Sequence, residues 1–143
     1  MSVFGVICYR PKHGVNVGTL WRSAKGFGAS YLGVIAGRVE RQPSDTARAL
    51  HALPVFTWPS WEVFMEARPW DAPLVAVELT GKSVDLCDFD HPVRACYLLG
   101  AEDDGIPPRI LNQCQHVVTI PAPSLNLATA GSIVLYDRIA KED

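Results

Sequence analysis

No segment of this chain approaches the roughly 18 consecutive apolar residues that crossing a bilayer requires. The N-terminal VFGVICY is too short for the core of a secretion signal. It has no basic residue before it and no small-residue cleavage site after it. Cysteine is scarce: Cys8, Cys87, Cys96 and Cys114 are widely spaced, with no C-x-x-C pair and no histidine at zinc-ligand spacing. Buried reduced thiols, no bound metal and a cytoplasmic setting are therefore expected. Low-complexity stretches, linkers and internal repeats are missing too, and 143 residues suit one domain. Neither glycine fingerprint of phosphate-bearing ligands, G-x-x-x-x-G-K-[ST] or G-x-G-x-x-G, occurs. No Ser–His–Asp or Cys–His set can be assigned from sequence order, and no carboxylate pair has an evident acid–base role. Hydrolase chemistry has no foothold.

What is present is an ordinary globular composition, 48% apolar and 20% charged, with a net charge of −2. That charge argues against gripping nucleic acid by electrostatics alone, but its distribution is uneven. Residues 1–50 carry seven Lys/Arg (Arg10, Lys12, Arg22, Lys25, Arg38, Arg41, Arg48) against Glu40 and Asp45, a net of +5. The remainder carries six basic and thirteen acidic residues, a net of −7. One basic face on an acidic body is the implication.

Short apolar runs read as buried strands at 3–9, 31–35, 54–58, 74–79, 95–99 and 116–120. Helical patterns fall between them. In 15–28, Val17, Leu20, Trp21, Ala24 and Phe27 share a face, and Arg22 lies off that stripe. Further helices are expected from Ser44 or Asp45 to Leu50, from Ser60 to Ala67, from Pro107-Pro108 to about Gln113, and from about Asn126 to Lys141. Strands alternating with helices predict an α/β domain with a largely parallel sheet. Ligands in such folds bind at loops after the carboxyl ends of strands, here 10–16, 36–43, 80–83, 100–106 and 121–126.

Two of these loops concentrate unusual residues. After the run ACYLL comes GAEDDGIP, with Gly100 and Gly105 free to turn sharply and Glu102, Asp103 and Asp104 between them. Three carboxylates would repel a phosphate. In IPAPSLN the prolines hold the backbone out of helix, and Ser124 or Asn126 can cap the helix that follows. Asn16 and Gly18 stand at the entrance of the first helix, and Arg22 follows six residues after Asn16.

Three stretches, NVGTLWRSAKGFGA (16–29), LLGAEDDGIP (98–107) and IPAPSLNLATAGSIVLYD (120–137), resemble in order and spacing the three motifs of the SpoU/TrmH branch of the SPOUT superfamily. Its members are S-adenosylmethionine-dependent RNA ribose 2′-O-methyltransferases. The resemblance covers the chain nearly end to end. It implies a SPOUT-type, mainly parallel sheet flanked by helices, with a C-terminal deep trefoil knot, which pattern reasoning would not propose. It also implies a homodimer packed through the small residues of the last helix, Ala128, Gly131 and Ser132. The cofactor pocket would be lined by Val77, Gly100, Ile120, Ser124 and Leu125. Arg22 would stabilise the ribose alkoxide, Asn16 would orient that arginine or the RNA, Ser124 and Asn126 would hold the third loop, and Glu102 would brace the second. Two features depart from the family pattern: the short spacing between Pro121 and Ser124, and Asp103-Asp104, which makes the mouth acidic. A single domain, 1–143, without an appended RNA-binding domain is expected, with tRNA favoured over rRNA. The alternatives are an rRNA substrate, a non-catalytic RNA-binding relative and a small-molecule α/β enzyme.

Overall fold

The computed structural model describes residues 2–37, 53–68, 71–101, 103–122 and 125–142. The helix expected at 44–50, and with it Arg38, Arg41 and Arg48, lies outside them.

Seven strands form one sheet in the order β3-β2-β1-β6-β4-β7-β5, and every pairing is parallel. They are β1 (Val3–Tyr9), β2 (Tyr31–Ile35), β3 (Val55–Trp58), β4 (Leu74–Val77), β5 (Val84–Asp85), β6 (Arg94–Gly100) and β7 (His116–Thr119). The helices among the described residues are α1 (Gly14–Gly26), α2 (Trp61–Ala67), the short α3 (Pro108–Leu111) and α4 (Leu127–Lys141). β1 and β6 lie at the centre and are apolar almost throughout, because helices cover both faces of the sheet. Their side chains alternate between two cores. Phe4, Val6 and Cys8 pack with Val17, Leu20 and Trp21 of α1 and with Val134 and Leu135 of α4. Ile7 and Tyr9 pack with Trp61 and Phe64 of α2 and with Ile110 of α3.

Local chemistry sets the ends of these elements. The Ser60 hydroxyl accepts the Val63 N–H at 3.2 Å and starts α2. Gly28, at φ +86°, allows the reversal that ends α1, where the Ala29 N–H donates to Ala24 O. Asn126 rather than an earlier residue caps α4, its Oδ1 accepting from the N–H groups of Ala128 and Thr129 at 2.8 and 3.3 Å.

Several expectations are corrected. The strand expected to reach residue 79 ends at Val77, and the Glu78 side chain beyond it bonds the loop after β6. The two-residue β5 carries too little apolar pattern to be seen in the sequence. Cys8 and Cys96 are buried, but Cys87 is exposed. Apart from these corrections, Gly131 of α4 packs closely within the chain: a Cβ there would stand 2.5 Å from Leu20 and 2.8 Å from Leu99. Ser132 Oγ likewise donates to Ser23 Oγ at 2.9 Å, joining α4 to α1. Among the described residues no helix is long and apolar enough to cross a membrane.

Candidate active site

Parallel strands deliver the loops after β1, β4, β6 and β7 to one edge of the sheet. The exit of β1 is strained: Arg10 has φ +50°, a left-handed conformation that side chains with a Cβ rarely adopt. Its N–H is fixed by Ile35 O at 2.8 Å.

A cleft opens between the loops after β4, β6 and β7 and the start of α4. Val77, Gly100, Ile120 and Leu125, the residues expected to line a cofactor pocket, all line it, together with Glu78, Leu79, Leu99 and Leu127. Ser124 and Glu102 lie outside the described residues. One wall is the tight loop 101–105, closed by the Gly105 N–H donating to Ala101 O at 2.8 Å. Gly100 is required there, since a Cβ would fall 2.6 Å from the Gly105 carbonyl carbon. The walls are mostly apolar, and Glu78 is the one charged side chain among the described residues that line them.

The first and third motifs meet through two asparagines. Asn126 Nδ2 donates to Asn16 Oδ1 at 2.9 Å while Asn126 Oδ1 caps α4, so one amide ties the start of α1 to the start of α4. Arg22 lies on the exposed side of α1. The acidic second loop is met by a cation of the first: Lys12 Nζ stands 2.8 Å from Asp103 and 3.6 Å from Asp104. The shared hydrogen bond raises the Lys12 pKa and lowers that of Asp103. All three groups are exposed, so the pair adds little to stability.

Sequence reasoning missed two of these residues, Lys12 and Glu78. Glu78 falls inside a stretch that reads as strand, and the only available signal was a carboxylate breaking an apolar run. Lys12 becomes visible only when the structure sets Asp103 and Asp104 beside it.

A model of the SpoU rRNA Methylase family matches residues 4–136, nearly the whole chain. The chain belongs to the SpoU rRNA Methylase family. Among its SpoU relatives is the 23S rRNA (uridine(2479)-2′-O)-methyltransferase of Streptomyces viridochromogenes, 29% identical over 94% of this chain and 52% of that protein. The tRNA (cytidine-2′-O-)-methyltransferase TrmJ of Methanocaldococcus jannaschii is 25% identical over 98% of this chain and 69% of its own length. The crystal structure of the SpoU methyltransferase AviRb from Streptomyces viridochromogenes in complex with AdoMet superposes with a TM-score of 0.83 at 28% identity. That superposition covers 98% of this chain and 58% of AviRb. The chain thus spans little more than half the length of the rRNA-methylating relative.

Proposed function

We propose that this SpoU-family protein transfers a methyl group from S-adenosylmethionine to a ribose 2′-hydroxyl of RNA. The observation that carries the reading is the convergence of the three motif loops at one sheet edge. There a largely apolar cleft adjoins the Asn16–Asn126 link. Two SpoU relatives are named as RNA 2′-O-methyltransferases, which supports the same chemistry.

The donor set of the cleft fits this cofactor. Val77, Leu99, Ile120 and Leu125 offer apolar surface to an adenine, and strand-end backbone groups offer hydrogen bonds to its edges. No lysine or arginine is among the described lining residues, which disfavours a phosphate-bearing ligand. When bound, S-adenosylmethionine supplies an electrophilic methyl on a positively charged sulfur.

The chain's own residues do the rest. A guanidinium offers hydrogen-bond donors and positive charge but no acceptor, so Arg22 serves as an electrostatic stabiliser of the alkoxide that develops at the 2′-oxygen, not as a base. As the 2′-oxygen gained its bond to the methyl carbon, the sulfur–methyl bond would break to leave a neutral thioether, and the hydroxyl proton would pass to an RNA phosphate oxygen. Asn16 and Asn126 hold the entrances of α1 and α4 in register, while Ser124 would hold the third loop and Glu102 would brace the second. Positioning supplies much of the rate.

Transfer RNA is taken as the favoured substrate and rRNA as the alternative, relatives named for each being matched. The RNA would meet the basic N-terminal half, including Arg38, Arg41 and Arg48. The active form is read as a cytoplasmic homodimer, knotted where 120–126 passes the loops after β4 and β6. Its contact would lie on the α1–α4 face, where Tyr136 is 63% exposed and Phe27 packs edge-on against it beside Ile133.

The test is transfer of an isotopically labelled methyl group from S-adenosylmethionine to unmodified tRNA and rRNA, followed by nucleoside mass spectrometry. Label on the ribose of tRNA nucleosides is expected. Ribose label confined to rRNA would change the substrate, and label on a base would overturn the reaction. RNA binding without transfer would favour a non-catalytic role.

A further inference from the structure

Glu78 leaves β4 with its backbone still in the ladder, its N–H donating to Val118 O at 3.0 Å. Its side chain then departs from the sheet. Oε2 accepts the Ile106 N–H at 3.0 Å, 28 residues away in sequence, and Oε1 accepts the Leu79 N–H at 3.2 Å. Gly105 lies directly against this carboxylate: a Cβ there would stand 2.5 Å from Oε2. Gly105 has φ +63°, and the space its hydrogen leaves is what lets the loop close on the carboxylate. Gly100 packs in turn against Gly105. Carboxylate, Gly105 and Gly100 therefore form a close-packed series running from one wall of the cleft to the other.

We propose that Glu78 is a positioning residue for the cofactor cleft. Its carboxylate pins the loop after β6 to the exit of β4 and so fixes the spacing of the walls between which S-adenosylmethionine binds. The inference rests on the cofactor reading above. It assigns a role to a residue outside the three motif stretches.

Two backbone donors converge on one side chain, and only a carboxylate offers an acceptor oxygen to each. A glutamine has one acceptor, and its NH₂ group would confront the second N–H as donor against donor. The bonds formed to a charged acceptor are also the stronger kind. An unpinned loop samples positions in which the cleft is too wide or too narrow, and apparent affinity falls in proportion to the competent fraction. A competent fraction of about 10% would weaken binding about tenfold. Arg22, on α1, is untouched by the change, so turnover at saturating cofactor should stay within about threefold while KM for the cofactor rises.

The experiment compares the parent and Glu78→Gln by isothermal titration with S-adenosylmethionine, steady-state kinetics and amide hydrogen exchange. Expected are a dissociation constant raised about tenfold or more, a matching rise in KM, and faster exchange at the Ile106 amide. Equal affinity in the two proteins would overturn the proposal while leaving the cofactor reading intact. Weaker binding with unchanged exchange at Ile106 would also overturn it. A parent that binds no S-adenosylmethionine would remove the cofactor reading and this inference together. If the variant does not fold, the ligand-free parent decides. Its Ile106 amide must exchange more slowly than the exposed Asp104 amide, and equal rates would contradict the pin.

Discussion

The last helix, α4, touches both edges of the sheet, and the chain treats its two ends differently. At the carboxyl end Arg138 is only 2% exposed. Its guanidinium donates to Ser2 Oγ, to the carbonyls of Pro92 and Val93 and to the Tyr97 hydroxyl. Lys141 Nζ, beside it, donates to the carbonyls of Leu86 and Phe89. Each of these cations is held by carbonyl or hydroxyl oxygens from other parts of the chain and by a carboxylate of its own helix, Glu142 at 3.4 Å for Arg138 and Asp137 at 2.9 Å for Lys141. At the amino end, Asn126 is exposed, shares its amide between the helix cap and Asn16, and stands beside an open cleft. One edge spends its polar groups on closing the fold; the other leaves polar groups and strained turns facing outward, where a ligand can use them. Substitutions at the two ends should therefore separate stability from function.

The largest stability effect is expected at the closed end. Arg138→Ala leaves the Pro92 and Val93 carbonyls without their donor and opens a cavity beside Phe4. Leaving buried acceptors unsatisfied costs about 1–3 kcal/mol, and the cavity beside the Phe4 ring adds to that. Chemical denaturation should record that loss, while the folded fraction should bind S-adenosylmethionine with parental affinity. A weakened cofactor site in the folded fraction would break the contrast between the two edges.

A smaller effect is expected at the open end. Asn126→Ala removes the α4 cap and should cost about 1 kcal/mol. Asn126→Asp keeps an acceptor for the cap but cannot donate to Asn16. It should stay within about 0.5 kcal/mol of the parent in stability while lowering methyl transfer. Parental activity in Asn126→Asp would mean that the Asn16 link is structural only.

The smallest effect concerns pH. His91 bridges Tyr97 and Asp137, with Arg138 and Lys141 nearby and Phe89 against its ring. Burial pushes its pKa below the ordinary 6.5, against the pull of Asp137. The unfolded chain then binds this proton more readily than the folded one. The stability involved is complete above about pH 6.5 and is lost as pH falls toward the folded pKa. Melting temperature should decline through that window in the parent and decline less in His91→Gln. Parallel profiles would show that His91 does not carry the dependence.

Much of the open edge was legible in the sequence, because loops after parallel strands must meet there and the motif residues lie on those loops. Asn126 was readable as a cap, and Val77, Gly100, Ile120 and Leu125 are found along one cleft. The closed edge was not legible. An arginine in the last turn of a helix ordinarily complements the helix dipole in solvent, and nothing local to Arg138 says that Ser2, Pro92 and Val93 will surround it. Gly131 was ambiguous for a related reason: a small residue permits close approach, but sequence does not say whether the neighbour is Leu20 of the same chain, as found here, or also a second copy. Glu78 was hidden because its partner, the Ile106 N–H, belongs to a loop that only the sheet order brings near.

Arg22→Ala tests most directly whether the open edge carries out the proposed methyl transfer with Arg22 as its electrostatic stabiliser. Arg22 is exposed on α1, so the variant should melt near the parent and bind S-adenosylmethionine with unchanged affinity. Methylation of RNA should fall about a hundredfold or more, as when an oxyanion donor is removed, and Arg22→Lys should restore little of it. Near-parental methylation by Arg22→Ala would contradict the mechanism, even with the fold and the cofactor cleft intact.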